Sequence, residues 1–135
     1  MKEMTQAKGV DIKEIGELNR QRVMEAYKNI DTLVAPSRED AMPIVCAEAA
    51  MNSCCVICSK NNGFSELISD CKNGLVFETD DVSSLTQKIR YVFENRNHAR
   101  EMGKELRKVY EKEFTISVFE RNVKEMLNLY GDKIG

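Results

Sequence analysis

The sequence predicts an α/β fold, in which helices flank a parallel β-sheet and the last third of the chain is helical. Two observations lead to this prediction. Short apolar runs of strand length alternate with helical stretches over the first two thirds of the 135 residues, and such alternation is typical of parallel βαβ units. One run, residues 54–58, is apolar throughout, as expected for a strand covered on both faces. We therefore expect one domain over residues 1–135.

Four segments are predicted to be strands, and turn-forming residues delimit three of them. Gly16 closes the first, Pro36 follows the second, and Asn73-Gly74 forms the turn before the last. The predicted strands are residues 10–15, 32–35, 54–58 and 75–77.

Helices in the first two thirds are predicted from apolar residues that recur at intervals of three and four. Asn19 is suited to cap the first helix, and residues 44–52 form a second, Ala-rich helix. Gly63 opens a short helical turn at residues 65–69. The side chains of the first helix expected to pack inward are Val23, Met24, Tyr27 and Ile30.

The last third is predicted to contain three amphipathic helices. Asp80 or Asp81 caps the first of them, Asn97 begins the second, and Thr115 begins the third. The apolar side chains on their inward faces are Val82, Leu85, Ile89, Val92, Phe93, Met102, Leu106, Val109, Tyr110, Phe119, Val123, Met126, Leu127 and Tyr130.

Composition excludes several classes of function. The chain has 20 basic and 22 acidic residues and a net charge of −2, so no large basic surface is available to hold nucleic acid. No apolar run approaches the roughly 18 residues that a transmembrane helix needs, and the first residues lack the apolar stretch of a signal peptide. Five cysteines, three of them within residues 54–58, indicate a reducing compartment. We therefore expect a cytoplasmic protein.

The segment from Asp31 to Ala50 indicates a ligand site. Its predicted strand ends at Pro36-Ser37, and two carboxylates follow, Asp40 and Glu48, with seven residues between them. Open α/β sheets bind ligands at the carboxyl ends of their strands. The backbone N–H groups at the N-terminus of the next helix also suit a phosphate.

This segment, PSREDAMPIVCAEAA from Pro36 to Ala50, resembles the signature of the group 1 (family 4) retaining glycosyltransferases. In that family a strand-end Pro-Ser leads to one acid, here Asp40, and then to a second acid followed by Ala, here Glu48. Two later motifs resemble the family in the same order. They are Gly63-Phe64-Ser65-Glu66-Leu67-Ile68 and Asn73-Gly74-Leu75-Val76-Phe77.

The resemblance implies a fold and an activity. The fold is the C-terminal, donor-binding domain of a GT-B enzyme, a Rossmann-like parallel sheet. The activity is transfer of a hexosyl group from a nucleoside-diphosphate sugar to a hydroxyl, with stabilisation of the departing diphosphate. No cofactor or metal is expected. Cell-surface polysaccharide or glycoconjugate synthesis is the implied role, and the full-length enzyme would be cytoplasmic, at the inner face of the membrane.

The resemblance also implies site residues. Glu48 would accept hydrogen bonds from ribose hydroxyls, and Asp40 would be the catalytic residue beside the donor sugar and its leaving phosphate. Gly16 and Leu18 would let the nucleotide base approach the backbone. The loop and helix start that would face the diphosphate or the sugar comprise Ala41, Met42, Pro43, Ile44 and Val45, of which Pro43 has no N–H to donate.

The sequence also departs from the family pattern. The first acid is more often Glu, and Gly is common where this chain has Ala41 and Pro43. The two βα units that carry the Arg and Lys of the diphosphate site have no counterpart here, nor does the acceptor-binding domain. We therefore expect a partial donor domain that is inactive on its own.

Other interpretations remain open. The chain could be a non-catalytic α/β interaction module that associates, for example as a homodimer, through an incomplete sheet edge. Sugar-nucleotide epimerases share the architecture but match the motifs less well.

Individual residues also have structural interpretations. Glu48 could simply cap a neighbour or pair with a lysine, and Gly63 and Glu66 could shape or brace a turn. Cys55 and Cys58 would point to opposite faces of a strand, which argues against a metal site. His98 is expected to be a surface residue.

Overall fold

The computed structural model describes residues 12–36, 44–114, 121, 123–125 and 127–128. Its elements, in chain order, are α1 (Arg20–Asn29), β1 (Thr32–Ala35), α2 (Ile44–Met51), β2 (Cys55–Ser59), a 3-10 helix (Gly63–Leu67), β3 (Leu75–Phe77), α3 (Val82–Glu94) and α4 (Arg96–Phe114). The described residues between 121 and 128 are also helical. The α/β fold with a parallel sheet and a helical last third is therefore confirmed.

The sheet has the order β1-β2-β3, and both pairs of strands are parallel. Thr32 pairs with Cys55 and Ile57 pairs with Leu75. The carboxyl ends of all three strands consequently lie along one edge of the sheet, where Pro36, Lys60 and Glu78 follow them. The predicted strands at 32–35 and 75–77 are confirmed, and the central strand begins one residue later than predicted.

β2 is the centre of the fold, because all five of its residues are buried. Its side chains alternate between two hydrophobic clusters, as the period of a strand requires. Val56 and Cys58 contact the cluster that contains Tyr27, Ala49 and Leu106. Cys55 and Ile57 contact the cluster formed with Leu75, Phe77, Ala99 and Met102. Cys55 and Cys58 thus face opposite sides of the sheet, as the sequence predicted.

Side-chain caps define the starts of two helices. The side chain of Asn19 accepts a hydrogen bond from the Arg22 amide at 2.9 Å, which confirms the predicted cap of α1. Asp81 accepts from the Ser84 amide at 3.0 Å. Of the two aspartates predicted as the cap of α3, Asp81 is therefore the capping residue.

Helix α4 packs directly on the chain that leads into β2. Gly103 lies against Ser53 and Cys54, and a Cβ atom at this position would overlap the backbone carbonyl of Ser53. The close approach brings Met102 and Leu106, both fully buried, onto the two faces around β2. A glycine inside an otherwise regular helix therefore has a packing reason here.

The first predicted strand is wrong over the residues that the structure describes. Residues 12–15 have no regular structure, and residues 10 and 11 lie outside the described residues. Ile12 and Ile15 are exposed, and the described sheet contains no strand beside them. Because a strand needs a neighbour to satisfy its backbone groups, apolar residues alone do not make one here.

Several side chains expected to be buried are exposed. Val82, Ile89 and Phe93 of α3 face solvent, as do Ile30 and Leu127. Leu85, Tyr91 and Val92 are the α3 side chains that pack on the cluster beside β2 and β3. The apolar pattern predicted the helix correctly, but part of its apolar face is open to solvent, and there the Arg96 guanidinium lies over the Phe93 ring at 5.3 Å. Phe119, Met126, Tyr130 and the start at Thr115 lie outside the described residues.

Candidate functional site

The carboxyl edge of the sheet contains the described part of the predicted site. β1 ends at Ala35, and α2 begins at Ile44. Ile44 and Val45 are exposed, so the first turn of α2, whose N–H groups have no acceptor within the helix, is open to solvent. Of the predicted site residues, Asp40, Ala41, Met42 and Pro43 lie outside the described residues.

Glu48 projects from α2 towards α1. Its side chain is 13% exposed, and its Oε1 atom lies 3.4 Å from the Nη1 atom of Arg20, whose side chain is 79% exposed. Burial, followed by the neighbouring Glu48 carboxylate, raises the pKa of Tyr27 to about 12. Tyr27 therefore stays protonated well into the alkaline range and can donate to Glu48 from the core side. Glu48 is held between a buried hydroxyl and an exposed guanidinium.

The chain that enters α1 leads to Arg20, the residue that pairs with Glu48. Gly16 is exposed and has a φ of +63°, a left-handed conformation that favours glycine. Leu18 is half-buried, and Arg20 follows it by two residues. The Arg20–Glu48 ion pair therefore links the start of α1 to α2. Of the predicted site residues, Glu48, Ile44 and Val45 lie together on α2, and Gly16 and Leu18 lie in the segment just before α1.

The loop after β2 is fixed by an asparagine that the sequence analysis did not single out. Asn62 is 1% exposed, and its side-chain oxygen accepts from the Phe64 amide at 2.9 Å. Its amide nitrogen lies 4.0 Å from the Cys46 sulfur on α2. The loop therefore contacts the first turn of α2. An asparagine directly before Gly63, at the carboxyl end of a buried strand, was the signal that could have identified it.

In the described structure neither Gly63 nor Glu66 braces the turn after β2. Gly63 begins the 3-10 helix but does not have a positive φ, so the helix itself does not require glycine there. Glu66 is exposed in the first turn. Ser65 braces the turn instead, since its hydroxyl donates to the Lys60 carbonyl at 3.0 Å.

Arg20 is the second site residue that the sequence analysis missed. It follows the capping residue Asn19, where a basic side chain is ordinarily read as part of a solvated helix face. Only the packing of α1 on α2 brings it to Glu48. The structural interpretation of Glu48 as an ion-pair partner is confirmed in kind, but the partner is Arg20 and not a lysine.

Other candidates have structural explanations within the described residues. His98 is half-buried rather than on the surface, because its ring packs edge-on against Tyr91 and its Nδ1 atom is hydrogen-bonded to the Tyr91 hydroxyl. The residues described contain no group of three or more side chains that could hold a metal ion. None of the described helices is long and apolar enough to cross a lipid bilayer.

Sequence comparison identifies the family. Residues 1–109 match the profile of the family described as glycosyl transferases group 1, and the chain belongs to this family. Sulfoquinovosyl transferase SQD2 of Arabidopsis thaliana is 27% identical over 100 residues, which are 72% of this chain and 20% of that protein.

Solved structures of glycosyltransferases share the fold. Sucrose-phosphate synthase from Thermosynechococcus elongatus has a TM-score of 0.79 and 21% identity, covering 98% of this chain and 33% of that one. Alr3699/HepE of Anabaena, in complex with UDP-glucose, has a TM-score of 0.72 and 17% identity over 78% of this chain and 29% of that one. The C-terminal domain of LpcC, a group 1 protein of Francisella tularensis, has a TM-score of 0.66 and 20% identity over 78% of this chain and 53% of that domain.

These likenesses establish the α/β fold that the chain shares with GT-B glycosyltransferases. The chain spans a third or less of the SQD2, synthase and HepE chains and about half of the LpcC domain.

Proposed function

We propose that this chain is the nucleotide-sugar-binding part of a glycosyltransferase that transfers a hexosyl group from a nucleoside-diphosphate sugar to a hydroxyl. The acceptor would belong to cell-surface polysaccharide or glycoconjugate synthesis. The observation that carries the proposal is the position of Glu48, a nearly buried carboxylate at the carboxyl edge of the sheet, next to the open first turn of α2. HepE, which has this fold, is known in complex with UDP-glucose.

Glu48 would bind the ribose of the donor. A carboxylate has two oxygens and can accept from both ribose hydroxyls. Arg20 occupies one of these oxygens now, but the ion pair is long at 3.4 Å and its guanidinium is mostly exposed. A ribose can therefore replace Arg20 at little cost, and Tyr27 would keep the carboxylate oriented from below.

The first turn of α2 would bind the diphosphate. The N–H groups of Ile44 and Val45 are at the positive end of the helix and can donate to phosphate oxygens. Met42 and Asp40 belong to the segment just before this turn, where Asp40 would lie beside the donor sugar. The base would contact the backbone near Gly16 and Leu18. The chemistry supplied by this half is stabilisation of the departing diphosphate.

Thermal-shift measurements test donor binding. The purified chain is heated with UDP, GDP, ADP and their hexose conjugates, each at about 100 times its Kd or at the solubility limit. Binding at that ratio stabilises the folded chain by about 2.7 kcal/mol, which raises the Tm by several degrees. We expect one nucleotide to give this rise.

The matched variants are Glu48→Gln and Glu25→Gln. Glu25 is an exposed glutamate on α1, so its substitution should leave the shift intact, whereas Glu48→Gln should abolish it. A shift that Glu48→Gln retains would remove Glu48 from the site. The absence of a shift with every nucleotide and nucleotide sugar would rule out donor binding by this chain alone.

A further inference from the structure

Arg20 lies at the start of α1, at the same edge of the sheet as the first turn of α2. Two residues separate the end of α1 from β1, and the Tyr27 carbonyl, near that end, accepts a hydrogen bond from the Cys54 thiol at 3.2 Å, just before β2. The end of α1 is therefore at the amino ends of the strands, and its start is at their carboxyl ends. Because α2 follows β1, it starts there too. The N-termini of both helices, which carry partial positive charge, thus lie at one edge.

The backbone of Arg20 is fixed, whereas its side chain extends into solvent. The preceding residue, Asn19, accepts from the Arg22 amide through its side chain and from the Val23 amide through its carbonyl. The Arg20 side chain itself is 79% exposed. A cation in the first turn of a helix is disfavoured by the helix dipole, and the first turn of α1 has no acidic residue to offset it. The stability of α1 therefore does not account for an arginine at this position.

The ion pair with Glu48 places the Arg20 guanidinium beside the first turn of α2. Glu48 follows Ile44 by four residues, so both side chains lie on the same side of the helix. The Cα–Cβ bonds of a helix also tilt towards its N-terminus. The guanidinium, 3.4 Å from Glu48, is consequently within about one helical turn, roughly 6 Å along the axis, of the N–H groups of Ile44 and Val45. A change in side-chain conformation can carry it across such a distance.

We infer that Arg20 changes partner when a nucleotide binds: the ribose takes the Glu48 carboxylate, and the released guanidinium binds the diphosphate at the first turn of α2. This inference rests on the proposed function and adds a diphosphate contact to it. The paired N–H groups of a guanidinium match phosphate oxygens. The charge of Arg20 is compensated in both states, by Glu48 in the free chain and by the diphosphate in the complex. Arg20 thereby makes the site favour a nucleoside diphosphate over the nucleoside alone.

The competing explanation is that Arg20 only covers Glu48 until a ribose displaces it. The two roles predict opposite effects of removing the guanidinium. If Arg20 only competes, every ligand with a ribose should bind more tightly without it. If Arg20 contacts the diphosphate, its removal should weaken the nucleoside diphosphate, whereas the nucleoside, which meets an unpaired Glu48, should not be weakened.

The test titrates the full 135-residue chain with UDP, GDP and ADP and with the nucleoside of each base, followed by NMR chemical shifts, which report weak as well as tight binding. We expect Arg20→Gln to weaken the diphosphate that binds by about tenfold or more. The corresponding nucleoside should bind as tightly as before or more tightly. Arg20→Lys keeps the charge but not the paired donors, so it should restore only part of the affinity.

The matched control is Arg22→Gln. Arg22 is an exposed residue in the same turn of α1, so its substitution removes the same charge and should leave both affinities unchanged. Circular dichroism checks that each variant is folded. An equal loss of diphosphate affinity in Arg22→Gln would show a general effect of charge and would overturn the inference.

Two further results would also overturn it. If Arg20→Gln binds the diphosphate as tightly as the unchanged chain, or more tightly, Arg20 is only a competitor. If it weakens nucleoside and diphosphate equally, Arg20 acts on the ribose or on Glu48 and not on phosphate. In each of these cases the unchanged chain still binds the diphosphate, so the proposed function stands. An unchanged chain that binds none of the six ligands would instead refute donor binding by this chain, and the role of Arg20 with it.

Discussion

Glu48 shows how one side chain can have both a structural and a ligand-binding role. The carboxylate is held from the core by the protonated Tyr27 and from solvent by Arg20. The core contact fixes its direction, while the solvent contact is weak and can be exchanged. A residue placed in this way can be recognised from the sequence as an acid on a small-residue helix, but its partners depend on how α1 packs against α2.

Buried groups that stay protonated in the folded chain lower its free energy of unfolding at alkaline pH. Burial raises the pKa values of Cys55 and Cys58 from 9.0 to about 12, and burial together with Glu48 raises that of Tyr27 from 10.0 to about 12. In this range the folded chain retains protons that the unfolded chain loses. Stability is thus fully present below pH 9 and is lost as the pH rises towards 12.

We therefore expect the free energy of unfolding, measured in urea, to receive a constant contribution from these groups up to pH 9. Above pH 9 it should fall. The loss should be on the order of 2 kcal/mol for each buried thiol by pH 11. Cys58→Ala should remove its share of the pH dependence while leaving that of Tyr27. A free energy that is level from pH 8 to pH 11 would contradict this assignment.

Thiol reactivity should separate Cys71 from the other cysteines. Cys71 is exposed, whereas Cys46, Cys54, Cys55 and Cys58 are buried, and burial raises the pKa of three of these four thiols. The thiolate is the reactive form. At pH 8 we expect one equivalent of Ellman's reagent to react rapidly with the folded chain and all five thiols to react in denaturant. Cys71→Ser should abolish the rapid phase, and a second rapid equivalent would show that the core opens.

Among the helices and strands, the sequence best predicted those whose start is set by nearby residues. The strand at 75–77 follows an Asn-Gly turn, and α1 begins at a capping asparagine, so both were located closely. Residues 10–15 have the apolar content of a strand, but a strand depends on its neighbour, which the local sequence does not specify. The predicted burial of the outer face of α3 was wrong for the same reason. Periodicity shows that a helix face is apolar, but it does not show what covers that face.

The contact between α4 and the start of β2 leads to a prediction about Gly103. Gly103→Ala would push a Cβ atom into the Ser53 carbonyl, and backbone cannot move aside as a flexible side chain can. Although alanine is the better helix former, we expect a loss of about 1–3 kcal/mol of unfolding free energy. Chemical denaturation measures it. Lys104→Ala, at the adjacent exposed position, should stay within about 0.5 kcal/mol, and a neutral or stabilising Gly103→Ala would contradict the close packing.

For the molecule as a whole, the sequence identified the fold and the family because three motifs occur in a fixed order along the chain. It placed Glu48, Ile44 and Val45 on one helix after the strand at 32–35, and the structure has all three on α2. Arg20 and Asn62 could not be assigned in the same way, since their roles come from contacts with α2 made across the fold. The catalytic role of Asp40 stays a prediction.

The outer side of β3, away from β2, carries a hydrogen bond that a further strand would have to break. A sheet with two open edges can add strands at both and grow without end, as fibres do. Here the Asp70 carboxylate accepts from the Val76 amide at 3.1 Å, and its second oxygen lies 3.2 Å from the Nζ atom of Lys88. A strand that approached β3 from this side would have to displace Asp70 from that amide, which opposes growth of the sheet in this direction. Replacing Asp70 would free the Val76 amide and remove that obstacle.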